Sequence, residues 1–112
     1  MRFTSALNQD RLFRRLYKKG RSAVRPCLVL YARENGSGAN RLGFTVTTKI
    51  GKAVTRNRVR RRLREIYRLH ESELRPGFDL VVVARLRAVG SAYARLEAEF
   101  LSACRELGLT EE

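Results

Sequence analysis

Between residues 10 and 19, "DRLFRRLYKK", the apolar positions Leu12, Phe13, Leu16 and Tyr17 recur among charged ones at the spacing of a single helical face. Asp10 sits near the start, basic residues fill the last turn and Gly20 follows, so the spacing predicts a short amphipathic helix over 10–19. The next segment, "SAVRPCLVLYARE", is rich in Val, Leu and Tyr. Pro26 divides it into a short edge piece over 22–24 and a longer strand over 27–33. "NGSGAN" reads as a turn. After it, "RLGFTVTTK" alternates Leu42, Phe44 and Val46 with Gly43, Thr45 and Thr47, the period of a half-buried strand. Gly51 punctuates the chain and opens a second helix, whose apolar side carries Val59, Leu63, Ile66, Tyr67 and His70. "RPG" closes it. "FDLVVVAR" has the unbroken Val run of a strand buried on both faces, and Gly90-Ser91 offers a cap for a last helix. There Leu96, Phe100, Ala103, Cys104 and Leu107 share a face, and Gly108 is the stop.

The resulting order is αβββαβα, which predicts an α+β domain: one four-stranded sheet with helices packed on it as an α/β sandwich. At 112 residues the chain fits a single domain over 1–112 that buries about two thirds of its unfolded surface. No internal repeat or low-complexity segment interrupts it. Cys27 and Cys104 lie far apart with no metal-ligand spacing and are expected to be buried thiols. The N-terminal residues lack an apolar run of signal-peptide length and no segment approaches a membrane span, so the expected location is cytoplasmic.

Charge changes the picture. The net charge is +13, from 24 Lys+Arg against 11 Asp+Glu, and 20 of those 24 are arginine. From Arg41 to Arg68 there are ten basic residues and one acid, whereas from Glu97 to Glu112 five acids accompany only Arg105. A general bias toward arginine does not produce that asymmetry; a placed positive field does, and it calls for a polyanion. Within the second helix, Arg56, Arg60, Arg64 and Arg68 step round into a ridge beside the apolar stripe, with Asn57 and Arg61 inside it and Arg58 and Arg62 flanking the other side. Four such like-charge pairs destabilise an isolated helix by about 1–2 kcal/mol, and Glu65 relieves only part of that. Phosphate would reverse the sign, and arginine adds bidentate contacts and base stacking that lysine lacks. Nucleic acid is the partner class that fits.

The stretch "KIGKAVTRNRVRRRLRE" resembles the signature of the bacterial ribonuclease P protein subunit, with its Arg-Asn-Arg helix after a strand and a Lys-Ile-Gly turn. The resemblance spans nearly the whole chain in order: "LFRRLYKKG" is similar to the family's aromatic first helix, "LVLYAR" and "RLGFTVTTK" to its strands, and "DLVVVAR" to the strand after the motif. It implies a small protein that binds a large catalytic RNA and helps it remove the 5′ leader from precursor tRNA, the RNA hydrolysing the phosphodiester with bound magnesium. It also implies a mixed sheet of the ribosomal protein S5 domain 2 kind with a left-handed strand-helix-strand crossover, against the right-handed form found in about 98% of such connections. Arg56, Asn57, Arg58, Arg60, Arg61, Arg62, Arg64 and Arg68 would dock on the catalytic RNA. Phe13, Tyr17 and Tyr31 match the aromatic lining of a cleft for the single-stranded leader, with Thr45, Thr47, Lys49, Lys52 and Arg85 around it. The family often carries two lysines before Ile-Gly; here the pair is Thr48-Lys49, and Lys52 is the nearest replacement for the missing charge.

The residues by themselves support part of this. Phe13 and Tyr17 at i,i+4 could present two stacking platforms, each base worth ~1–3 kcal/mol, or both rings could belong to the core. Tyr31 alternates away from Leu28 and Leu30, toward such a cleft or beneath a helix. A protein nuclease would need clustered carboxylates or a His-centred acid and base; His70 lies on an apolar helix side, Glu65 sits among arginines and Asp79 stands alone at a strand head, so no catalytic or metal-ligating set is expected in the protein. A DNA major-groove helix is disfavoured because no heptads follow Arg68 and no helix-turn precedes it. Neither DNA nor membrane is an expected partner. The remaining alternative is a ribosomal or general structural RNA-binding protein.

Overall fold

The computed structural model describes residues 3–110. Its elements are β1 (Thr4–Ala6), α1 (Asp10–Lys19), β2 (Arg21–Val24), β3 (Leu28–Glu34), β4 (Asn40–Thr45), α2 (Ala53–His70), β5 (Phe78–Ala84) and α3 (Tyr93–Glu106). The three helices and the four strands read from the sequence are all present, with shifts of a few residues at their ends. The sheet, however, has five strands in the order β1-β4-β5-β3-β2. The missed strand, β1, has only three residues, too few for any alternation to show, and it pairs parallel with β4 through Thr4↔Asn40, Ser5↔Arg41 and Ala6↔Leu42. β5 is central, parallel to β4 and antiparallel to β3, which makes the sheet mixed and explains its buried Val81-Val82 pair.

The helices divide between the two faces. Leu12 and Leu16 of α1 pack with Leu7 and Val81 on one face. On the other, Val59, Leu63, Ile66 and Tyr67 of α2 and Leu96, Phe100, Ala103 and Cys104 of α3 join Leu28, Leu30, Leu42, Leu80 and Val82 in the larger core. Tyr67 and Phe100 meet edge to face at 6.3 Å. Both cysteines are free and buried, and burial pushes the Cys104 thiol up to about 12.

The hand of the β4-α2-β5 crossover follows from one residue. The Leu42 carbonyl accepts the Leu7 N–H (2.9 Å) and so faces β1, while its side chain lies in the core shared with α2. With β4 running upward and the side chain toward the viewer, the carbonyl of an L-residue points right; β1 is on the right, β5 on the left, and the crossover is left-handed, the rare form.

Polar groups tie the short β1 into place. Asn40 Nδ2 donates to the Tyr67 hydroxyl (3.3 Å), which is 2.6 Å from Thr4 Oγ1, and Thr4 in turn donates to Glu71 Oε2 (2.5 Å), which also accepts the Phe3 N–H (3.0 Å). Asn40 Oδ1 accepts the Phe78 N–H (2.9 Å), so this relay reaches from β1 through α2 to β5. Desolvation by burial raises the Tyr67 pKa, so the ring enters the relay as a neutral phenol able to donate. Asp79 does not stand alone: it receives Arg41 through two hydrogen bonds (2.7 and 2.8 Å) and Asn35 Nδ2 (3.1 Å). The expected Ser91 cap on α3 is not made. Its Oγ donates to the Arg87 carbonyl instead, and Ala92 holds the N-cap position. Buried Glu99 compensates by tying α3 to the start of β3, accepting the Cys27 N–H at 2.8 Å and Arg95 Nε at 2.9 Å.

His70, at the end of α2, is bracketed by Glu73 (Nδ1 to Oε2, 2.5 Å) and Glu97 of α3 (Nε2 to Oε2, 2.8 Å). Burial pushes its pKa down, but the hydrogen bonds to Glu97 and Glu73 outweigh this and leave it raised above 6.5. A raised folded-state pKa adds stability below the unfolded value that disappears as pH rises through the folded one. The melting temperature of the wild type relative to His70→Gln should therefore be highest below the ordinary imidazole pKa of about 6.5 and shrink as the pH rises above it. Thermal denaturation at constant ionic strength checks this; a pH-independent difference would contradict it.

Candidate nucleic-acid interface

Burial of Val59, Leu63, Ile66 and Tyr67, none more than 2% exposed, turns the rest of α2 outward and decides where its arginines go. Gly51, at φ +146°, makes a turn before the helix that an L side chain would strain, and Arg56 Nε donates back to its carbonyl (3.2 Å). Arg60 Nη1 donates to Asn57 Oδ1 (2.9 Å), and Arg62 Nη2 reaches the Ser91 carbonyl ahead of α3 (3.0 Å). Arg68 meets a carboxylate, Glu65, in a two-pronged pair at 2.6 and 3.0 Å. The hydrogen bond from Arg68 lowers the Glu65 pKa and keeps it ionised. Among the described residues, Arg58, Arg61 and Arg64 make no hydrogen bond or ion pair and all three are exposed. The ridge is therefore a set of donors with little to satisfy them inside the protein.

On the opposite face, α1 presents Tyr17 beside the sheet. Its ring lies edge-on to Tyr31 (5.0 Å between centroids, 74° between planes) and its hydroxyl is 2.6 Å from Thr45 Oγ1. Beyond these rings the sheet is not covered by α1. Strand register aligns Val24, Val29, Val83 and Thr45 in one row across four strands, with Val24 exposed and the other three half-buried. That row is the floor of a cleft with an aromatic wall. Of the row only Thr45 was singled out from the sequence; the three valines were not, although each obeys the period-two alternation that puts it on the Tyr31 face.

Phe13, one turn before Tyr17 on α1, packs with Tyr31 and Val83 against the same small core. It lies half-buried over Gly43, where a Cβ would stand 2.5 Å from its Cζ, and it borders a separate pocket of about 470 Å³ at the outer edge of β4. Arg60 and Arg64 line that pocket from the α2 side. The structure thus brings Tyr17, Tyr31 and Thr45 together and sets Phe13 over Gly43, two residues back along β4, where it also borders the pocket lined by Arg60 and Arg64. Thr47 and Lys49 follow β4 as exposed residues and Lys52 occupies the N-cap position of α2. Arg85 is exposed at the end of β5, its Nη1 donating to the Arg25 carbonyl (2.8 Å).

A family model for Ribonuclease P matches residues 1–108. This chain belongs to the ribonuclease P protein family. The ribonuclease P protein component of Alkaliphilus oremlandii is 38% identical over 109 residues, covering 97% of this chain and 96% of that protein. That of Thermoanaerobacter pseudethanolicus is 44% identical over 85 residues, 76% of this chain and 73% of the other. Among solved structures, the Staphylococcus aureus RNase P protein superposes with a TM-score of 0.86 at 28% identity, covering 95% of this chain and 97% of that one. The Thermotoga maritima RNase P protein gives 0.80 at 31%, covering 88% and 93%. In this chain the basic and the aromatic surface lie on opposite faces of one sheet, and β4 borders both.

The exposures separate surface from core along α1. Tyr17, 41% exposed, should tolerate Tyr17→Ala with little change in melting temperature. Phe13→Ala, which empties the space over Gly43, should cost about 1–3 kcal/mol. Denaturant melts of the two variants check the ranking, and a larger loss from Tyr17→Ala would overturn it.

Proposed function

We propose that this protein is the RNA-binding subunit of a ribonuclease P ribonucleoprotein and assists its catalytic RNA in removing the 5′ leader of precursor tRNA. The observation that carries the reading is the pairing of two surfaces on one rigid sheet: an arginine ridge with unsatisfied donors, and a cleft walled by Tyr17 and Tyr31. In this reading Arg56, Asn57, Arg58, Arg60, Arg61, Arg62, Arg64 and Arg68 dock on phosphates of the catalytic RNA, where planar guanidinium groups make bidentate contacts. Leader bases stack on Tyr17 and Tyr31 over the valine floor, and Thr45, Thr47, Lys49, Lys52 and Arg85 hold the sugar-phosphate backbone. Phe13, one turn earlier on α1 and over Gly43, closes the end of this cleft nearest the outer edge of β4. Hydrolysis is assigned to the RNA and its magnesium, and the protein contributes binding and placement.

The test is cleavage of a precursor tRNA at low magnesium by a bacterial ribonuclease P RNA, with and without this protein. Rescue at the leader junction is expected only with both components; no rescue by a matched RNA would favour a structural RNA-binding role, and cleavage by purified protein alone would overturn the division of labour. Replacing Arg56, Arg60 and Arg64 with Ala should weaken binding to the catalytic RNA and flatten its salt slope by roughly 0.7–0.9 for each phosphate no longer neutralised. Tyr17→Ala should weaken precursor tRNA binding to the assembled complex by about 5- to 100-fold while sparing mature tRNA. Equal losses for both substrates would count against the leader cleft.

A further inference from the structure

The pocket at the outer edge of β4 has a property that neither the ridge nor the cleft requires. β1 pairs with β4 only as far as Ala6↔Leu42, and the last bond on that side is Leu7 N–H to the Leu42 carbonyl. Strand alternation turns the N–H and C=O of Phe44 to the same side as those of Leu42, and among the described residues neither has a protein partner. One donor and one acceptor therefore project from a strand edge into a pocket of about 470 Å³. A native sheet commonly covers or blunts such an edge. Here the chain leaves it open in a pocket that Phe13 and two arginines, Arg60 and Arg64, also line.

A backbone donor and acceptor side by side match the edge of a nucleobase, which also pairs an acceptor with a donor. Phe13 supplies an apolar wall for the base, and Arg60 and Arg64 supply charge for the phosphates on either side of it. A peptide strand could complete the same hydrogen bonds, but it would leave the two arginines facing no anion. Arg60 and Arg64 belong to the ridge, so the pocket lies inside the footprint proposed for the catalytic RNA. We infer that it receives one unpaired nucleotide of the catalytic RNA, read by the Phe44 backbone and held by Arg60 and Arg64. This rests on the proposed ribonuclease P role and adds to it a point of base recognition on a surface otherwise expected to contact only phosphate.

Ala6 is exposed, lines the pocket and pairs with Leu42 in the sheet, so Ala6→Trp should fill the space while Phe13, Phe44 and both arginines are kept. The experiment compares wild type, Ala6→Trp and a second filling variant, Ser5→Trp, in assembly with the full-length catalytic RNA. It reads Kd and chemical probing of base edges in the RNA, with melting curves to confirm that each variant is folded. Wild type should protect one unpaired base, and the filled variants should expose it again and weaken assembly by roughly 5- to 100-fold, the range for one stacked base. Their salt slope should stay unchanged, since no phosphate contact is removed. If folded variants assemble with wild-type affinity and protection, the pocket is not a nucleotide site. If instead they bind catalytic RNA normally and lose discrimination between precursor and mature tRNA, the occupant is the leader and the assignment to catalytic RNA is wrong. Failure of wild type to rescue low-magnesium cleavage would be a separate result, directed at the ribonuclease P role itself.

Discussion

The structure depends on the burial of one stripe of an arginine-crowded helix. As an isolated segment α2 would be destabilised by its own charge, since like pairs at i,i+4 each cost a few tenths of a kcal/mol. Val59, Leu63, Ile66 and Tyr67 outweigh that: each is essentially inaccessible, and full burial of an apolar side chain stabilises by about 1.5–3 kcal/mol. The sheet is thus the reason the arginines can be held in a fixed array. Held there, they lose no helix-forming entropy on meeting RNA, so a larger share of each phosphate contact appears as affinity.

The same packing decides how the two faces communicate. α1 lies on one side of the sheet and α2 on the other, and the left-handed crossover leaves β4 near the sheet's edge with only short β1 outside it. β4 therefore contributes to everything. Thr45 meets Tyr17 on the cleft side, Gly43 makes room for Phe13, and the Phe44 backbone faces the pocket beside Arg60 and Arg64. A relay from Asn40 through Tyr67 and Thr4 to Glu71 locks the edge strand to the arginine helix, so β1 cannot shift without disturbing α2.

The sequence conveyed much of this, and its silences have physical causes. Three helices and four strands were visible because the helices and β4 carry apolar periods, β5 an unbroken Val run, and β2 and β3 a β-rich composition split by Pro26. β1 has no such face: two of its three residues are exposed, and its place is set by hydrogen bonds to β4 and by a carboxylate nearly 70 positions away. The ridge was legible because charge pattern and helical period act on neighbouring residues. Phe13 and Tyr17 were not separable, since both occupy the same helical face; what separates them is Gly43 beneath one and Thr45 beneath the other, a tertiary fact. The handedness was visible only as a resemblance, because it resides in which side of β4 the Leu42 carbonyl faces.

The acids complete the electrostatic design by their positions. Asp79 neutralises Arg41, Glu106 reaches Arg25 at 2.8 Å, Glu99 takes Arg95, and Glu73 and Glu97 bracket His70. Of the seven arginines between Arg56 and Arg68, only Arg68 faces a carboxylate among the described residues. A basic protein with evenly mixed charges would have an ordinary surface at the same net charge. Spending its carboxylates on arginines outside the ridge and on the far end of α2 leaves the N-terminal two-thirds of that helix unscreened by its own chain. That is also the part of α2 whose Arg60 and Arg64 line the pocket beside β4.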